Sequence, residues 1–498
     1  MAGGGMKRLA KDTAVYGLSS ILGRMLNWLL VPMYSRVLAG TGEFGVMTNL
    51  YGWTALLLVL LTYGMETGFF RFINKKEIKN PMQVYSTTLI SVGFTSVLFT
   101  IAGLIFLLPI SNSLGYAEHP EYVAMLILIV SLDAFTAIPF AYLRYANRPI
   151  KFASIRLLII FLNIALNIFL LVVCPWIYTN HPSLISWFYI PDYGVGYVFI
   201  ANLIGSVLCL LLLVKELRGF TYSFDASLLK KMLRYSLPIL ILGLAGVFNQ
   251  TADKILFPFL FEDKVYATEQ LGIYGACFKI AVIMVMFTQA FRFAYEPFIF
   301  AKNKSEDNRK SYAEAMKYFI IFSLLIFLGV MFYLDILKYF VAPDYYPGLK
   351  VVPIVMLGEL FFGIYFNLSL WYKLSDQTQW GAYFSTLGCV VTVCIIVFFA
   401  PLYGFMACAW ASFACNLLMM VISYLVGQKK FPIKYDLRSA FIYFVAAGIL
   451  YAVGMLPVIS SEAIRLLYRT LLLGVFIAFV IKRDLPLREL PYIGRFLK

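Results

Sequence analysis

Charge is what this chain has least of. Only 13% of its 498 residues are Asp, Glu, Lys or Arg, against about 25% in an ordinary soluble domain, while 61% are hydrophobic and the mean hydropathy is +0.82. No polar stretch is long enough to fold separately, so one membrane domain holds nearly everything. Histidine is scarcer still. His119 and His181 fall in loops beside prolines, with no metal or catalytic partner nearby in sequence. The seven cysteines (174, 209, 277, 389, 394, 408 and 415) sit in or at the ends of apolar runs. They lack C-x-x-C or Cys/His spacing, which argues against a metal or redox centre and leaves them as small packing residues. The opening MAGGG and the basic run after Met6 carry no cleavage site, so no signal peptide is expected and Met6 reads as a start.

What the chain does have is a surplus of positive charge, +15. Its distribution argues against a nucleic-acid partner, because most of the 41 Lys and Arg fall at the two ends and in alternate loops. That is the positive-inside pattern, which predicts cytoplasmic termini and contact with anionic membrane lipids. The expected fold class is all-α: a polytopic membrane protein of about 14 transmembrane helices, at about 20 apolar residues per crossing. The expected crossings are residues 12–37, 44–70, 84–108, 122–145, 152–173, 195–214, a hairpin over 235–301, then 313–334, 350–372, 380–400, 404–426, 437–457 and 462–481. They group into a six-helix lobe (7–214), a cytoplasmic linker read as an amphipathic surface helix (215–234), a second six-helix lobe (235–428) and two further helices (437–482).

The charges inside crossings are the functional candidates, since an ionisable side chain in hydrocarbon usually faces a bundle interior or a water-filled path. Arg24 in the first crossing and Lys254, Lys279 and Arg292 in the central hairpin form a candidate cationic cavity for an anionic cargo. Asp253 and Lys279 lie at matched depth, roughly 10 to 12 Å below the turn at about 1.5 Å per residue, and Asp253 is placed to pair with Lys279 or with Lys254. Asp133, Asp253 and Glu359 are candidate Na⁺ or H⁺ coupling or pairing carboxylates. Glu66, Arg71 and Glu296 are candidates for a cytoplasmic gate, with Glu66 and Arg71 close enough in sequence to pair. No other cofactor is implied. The aromatic loop 175–194 fits an interfacial belt better than a sugar-stacking platform.

An internal repeat at an offset of roughly 227 residues aligns 44–53 with 271–280, 131–148 with 357–376 and 193–205 with 402–414, setting Asp133 against Glu359. Six helices per repeat implies two parallel lobes with a substrate site at their interface and alternating access.

KDTAVYGLSSILGR, YGMETGFFRF closing the second crossing, YSLP and NQTADKILF in the seventh, and LGIYGACFKIA opening the eighth occur here in order. On these motifs the chain resembles the polysaccharide transporter branch of the multidrug, oligosaccharidyl-lipid and polysaccharide exporter superfamily. The resemblance implies a flippase for a polyprenyl-diphosphate-linked oligosaccharide, such as an O-antigen (lipopolysaccharide), capsule or exopolysaccharide unit, in a bacterial cytoplasmic membrane. A polysaccharide polymerase or other glycan-assembly membrane protein would be its partner. Arg24 and Lys279 occupy places comparable to cations of the related lipid II flippases. Their basic second crossing is missing here, where Asn49 and Leu50 stand and no cation appears until Arg71, which argues against lipid II as cargo. Two other classes compete: a cation-coupled drug exporter using Asp253, Asp133 or Glu359, and a polymerase or ligase. The largest loop offers no catalytic constellation, so no enzyme is expected.

Overall fold

The computed structural model describes residues 21–75, 80–302, 308–375, 377, 379–457 and 459–484, with 294, 296–302 and 308 described by backbone alone. All regular structure among them is helical. Among the described residues, thirteen helical segments are long and apolar enough to cross a membrane; the first expected crossing begins outside the described residues. The all-α, multi-pass expectation holds.

In chain order the helices are α1 (helical over 21–28 and again over Val31–Val37), α2 (Gly40–Thr62), α3 (Met65–Ile73), α4 (Pro81–Ile105), α5 (Leu107–Leu114), α6 (Pro120–Tyr145) and α7 (Pro149–Ile168). Then come α8 (Cys174–Asn180), α9 (Pro182–Ile185), α10 (Val195–Leu212), α11 (Ala226–Leu256) and α12 (Lys264–Lys302). The chain continues through α13 (Asn308–Phe332), α14 (Leu334–Leu337), α15 (Val352–Leu368), α16 (Leu370–Leu374), α17 (Gln379–Tyr403), α18 (Met406–Lys430), α19 (Leu437–Met455) and α20 (Glu462–Asp484). Prolines open α4, α6 and α7, where their missing N–H costs nothing. By compactness the chain divides into one unit of residues 1–276 and 385–411 and another of 277–384 and 412–498.

Two local departures from the expected crossings shape the first unit. The second crossing is broken rather than continuous: Tyr63 and Gly64 take left-handed backbone angles between α2 and α3. The break suits Gly64, because a Cβ there would stand 2.8 Å from the Ser236 carbonyl oxygen on α11. The fifth crossing passes through a π turn over Phe169–Val173 just before Pro175, whose ring cannot supply the next backbone donor.

The linker is also corrected. Residues 226–234 are not a separate surface helix but the first turns of α11, capped by Asp225, whose carboxylate accepts from Ser227 N at 2.9 Å and Leu228 N at 3.0 Å. Leu228, Leu229, Met232 and Leu233 pack on a core made by Met65, Phe69, Phe72, Tyr85 and Val92. The apolar stripe thus faces protein.

At its other end α11 meets α2 and the start of α12. Asn49 on α2 donates to the Lys254 carbonyl at 2.7 Å and accepts from the Tyr116 hydroxyl at 2.9 Å. A Cβ at Gly272 would lie 1.8 Å from the Thr41 carbonyl oxygen, and one at Gly45 equally close to that of Thr268. Only glycine lets these backbones approach so far. In the second unit, Tyr295, Tyr312, Leu370 and Ile433 form one core, and Gly363 seats against the Phe319 ring.

Candidate functional site

The first unit encloses a cavity of about 630 Å³ among α1, α2, α3, α6, α7 and α10. Arg24 reaches it from α1, exposed to its open volume; Glu66 comes from α3, Asp133 from α6 and Arg156 from α7. The Tyr63–Gly64 break is what lets Glu66 lie on the cavity wall, since it starts a new helix with a new face two residues earlier. Asp133 sits in the middle of α6, where Ser206 Oγ donates to its Oδ1 at 2.8 Å. It lies within electrostatic reach of Arg156. The Arg156 guanidinium stacks over Phe140 at 4.1 Å and Phe152 at 5.8 Å, which holds it rigidly without neutralising it.

Glu66 does not pair with Arg71, as their spacing had suggested. Its partner is Arg144 from the end of α6, while Arg71 covers the Tyr235 ring at 4.0 Å. Counting Arg144, three guanidinium groups stand against two carboxylates at this cavity. A planar guanidinium matches phosphate oxygens two at a time, which an ammonium cannot do.

The other sequence candidates fall elsewhere. Lys254 Nζ lies 3.0 Å from both Asp253 oxygens and 3.1 Å from the Gln250 carbonyl, and the Tyr274 hydroxyl donates to the same carboxylate at 2.7 Å. That pair is part of the wall near Asn49, with Lys254 closely neutralised. Lys279, Arg292 and Glu359 belong to the second unit. There Lys279 and Glu359 are half-buried, and Arg292 lies over the Phe366 ring at 4.4 Å, as does Lys373. The Glu296 side chain lies outside the described residues. So Arg24, Asp133 and Glu66 meet in one cavity, joined by Arg156, with Arg144 paired to Glu66; sequence reasoning had singled out neither of these two arginines. The missed signal was Pro149: as the first residue of α7 it puts Arg156 roughly 10 Å inside the helix.

No metal is indicated: among the described residues no three His, Cys, Asp or Glu side chains cluster as ligands. The second unit has its own cavity, about 310 Å³, lined mainly by apolar side chains of α13, α15, α18 and α19, with Lys317 and Asp436 at its edge.

The sequence profile of a family described as polysaccharide biosynthesis protein matches residues 9–301. The chain belongs to the polysaccharide biosynthesis protein family. A second profile, MatE, matches residues 263–398. Membership of this family bears out the resemblance read from the motifs, and every residue of the first unit's cavity lies inside the family match. No curated protein matches the sequence. Among solved structures, lipid II flippase MurJ in an inward closed conformation is similar over 93% of this chain and 98% of its own, at 14% identity and a TM-score of 0.73. An inward-facing multidrug resistance MATE family transporter of the MOP superfamily is similar over 82% and 94%, at 15% identity and 0.64. A MOP superfamily transporter from Pyrococcus furiosus is similar over 84% and 95%, at 15% identity and 0.53. At these identities the shared property is the fold.

Proposed function

We propose that this member of the polysaccharide biosynthesis protein family is a flippase that moves a polyprenyl-diphosphate-linked oligosaccharide across a bacterial cytoplasmic membrane. The observation that carries the reading is the cavity lined by Arg24 and by Arg156, the latter in a helix long and apolar enough to cross a membrane. A diphosphate is a compact anion that guanidinium groups can hold, and 630 Å³ also leaves room for a sugar. In this reading the prenyl chain stays in lipid, both termini are cytoplasmic, and an O-antigen, capsule or exopolysaccharide unit is passed to a polymerase on the other side. Asp133, held by Ser206 and facing Arg156, is then the group whose charge state decides whether Arg156 is free for cargo. That makes it the coupling candidate for H⁺ or Na⁺.

A second reading, a cation-coupled drug exporter, is favoured by the presence of two carboxylates, Asp133 and Glu66, in the same cavity. The readings separate in proteoliposomes. Labelled polyprenyl-diphosphate oligosaccharide is followed as it becomes accessible in the opposite leaflet, with and without an ion gradient. Transfer by wild type and its loss in Arg24→Ala and Arg156→Ala is the expected result. Failure to transfer any glycolipid, with uptake of cationic dyes instead, sinks the flippase reading.

A further inference from the structure

The first unit's cavity is not uniformly ionic. Away from its charged residues it is lined by carboxamides: Asn27 from α1, Asn163 from α7 and Asn202 from α10. Two of these belong to a directed ladder. Asn167 Nδ2 donates to Asn163 Oδ1 at 3.1 Å, Asn163 Nδ2 donates to Asn202 Oδ1 at 2.8 Å, and Asn202 Nδ2 donates to the Tyr51 hydroxyl on α2. Asn163 and Asn167 stand one helical turn apart on the same face. Asn202 also reaches back to the Val198 carbonyl at 3.1 Å. The ladder therefore fixes the amide planes of Asn163 and Asn202, both of which line the cavity.

Hydrogen-bonded asparagines between membrane helices often serve only to hold helices together, at roughly 0.6 to 2 kcal/mol each. That account covers Asn167, which is fully buried. It does not cover Asn27. This side chain stands outside the ladder, is exposed to the cavity, and lies one turn from Arg24 on the same helix. Nor does it explain why the ladder runs along a cavity wall and not through packed interior. A carboxamide presents donor and acceptor side by side without charge, the pattern that sugar hydroxyl and acetamido groups complement. It holds phosphate less strongly than a guanidinium does and gives a cation little to pair with. The Phe152 ring, in the same wall, offers an apolar face of the kind on which sugar C–H faces rest.

We propose that Asn27, Asn163 and Asn202 form a saccharide subsite that reads the first sugar attached to the diphosphate. The proposal rests on the reading that Arg24 and Arg156 hold that diphosphate. The first lobe then grips both chemical parts of the headgroup, anion and sugar, in one enclosure.

The test uses the full chain in lipid nanodiscs and two probes, polyprenyl diphosphate and the same lipid carrying a single N-acetylglucosamine, titrated by calorimetry. Wild type is expected to bind the sugar-bearing lipid about tenfold more tightly, the equivalent of about one net hydrogen bond. Asn163→Leu and Asn202→Leu should bring that ratio close to one while the bare lipid binds as before. Asn27→Leu should lower the ratio too, and because Asn27 takes no part in the ladder it guards against loss of fold as the explanation. A wild type that binds both lipids equally overturns the proposal, as does an unchanged sugar preference in folded Asn27→Leu and Asn163→Leu. Equal loss of both lipids in the asparagine variants also overturns it, by showing the ladder to be structural. If instead Arg24→Gln binds the bare diphosphate lipid normally, the diphosphate reading itself fails, separately from the sugar subsite.

Discussion

Two clusters of arginine lie within apolar helices of this chain, and what surrounds them sets them apart. In the second unit, Arg469 on α20 is bound on every side: Nη1 to Asp335 Oδ2 at 2.7 Å and the Phe332 carbonyl at 3.3 Å, Nε to the Gly454 carbonyl at 3.2 Å. Arg465, one turn earlier, donates to the same Asp335 oxygen at 2.7 Å and to the Ile459 carbonyl at 2.9 Å. These groups tie α19 and α20 to the end of α13, and neither arginine lines the cavity of either unit. In the first unit, Arg24 and Arg156 border open volume, and Arg156 leans on two rings. Residue type is the same in both places. Access to open volume is what separates a binding site from a clamp.

The comparison can be broken most severely at the clamp. Asp335→Ala leaves two guanidinium groups without their carboxylate, and removing one partner of a buried pair costs about 3 to 5 kcal/mol. Thermal unfolding in detergent should show the loss, while transfer per folded molecule stays at the wild-type level. A transport defect in the folded fraction would mean that the second cluster is functional after all.

Next in size is the cavity. Arg24→Ala and Arg156→Ala each remove charge-assisted bonds worth about 1.5 to 3 kcal/mol, which is about ten- to a hundredfold in cargo binding. Melting temperature should barely move. The opposite pattern, normal binding with a lowered melting temperature, would turn this cluster into a second clamp.

Gly272→Ala tests the seal near Asn49 without touching charge. Its methyl group would stand 1.8 Å from the Thr41 carbonyl oxygen, so α12 must shift, at about 1 to 3 kcal/mol. Both stability and transfer are expected to fall, measured on the same preparation. Unchanged melting would show that these backbones separate freely.

The smallest effect is shared by both units. Asp225 caps α11 through the Leu228 and Ser227 donors, and Asp436 caps α19 through Ser439; each carboxyl is held below its ordinary value by those hydrogen bonds. A depressed folded value means that the stabilisation is complete above the unfolded pKa, about 3.9, and is lost as pH falls through the folded one. Hydrogen exchange in the first turns of α11 and α19 should therefore accelerate below pH 4. Asp225→Asn should remove that acceleration in α11 alone.

Much of this was legible in the sequence. Hydropathy located the crossings because a bilayer imposes one length on every helix. Arg24 and Asp133 were visible as charges inside crossings and Glu66 as a charge at the cytoplasmic end of the second, and the fold brings all three to one cavity. Arg156 fell near the start of the expected crossing 152–173, beside Arg144, Arg148 and Lys151, and so read as one more flanking charge until Pro149 is taken as the helix start. The Glu66–Arg71 pairing failed because five residues along one helix set the two side chains about 140° apart, and the Tyr63–Gly64 turn that precedes them meets Ser236, over 170 residues away. Arg465 and Arg469 gave no warning of their saturation, since their partners come from the ends of α13 and α19.

The course of α11 has a mechanical consequence. At about 1.5 Å per residue its 31 residues make a rod roughly 46 Å long. It is pinned near one end by Met232 and Ser236 and near the other by Asp253 and Ile255, all buried. From Leu237 to Gln250 no residue is buried, and Pro238 leaves the Arg234 carbonyl without its helical donor. A beam held at both ends and soft near one support is built to bow more than to swing, and its middle would carry along the contacts made to it by Cys389 at Ala245 and Thr392 at Asn249.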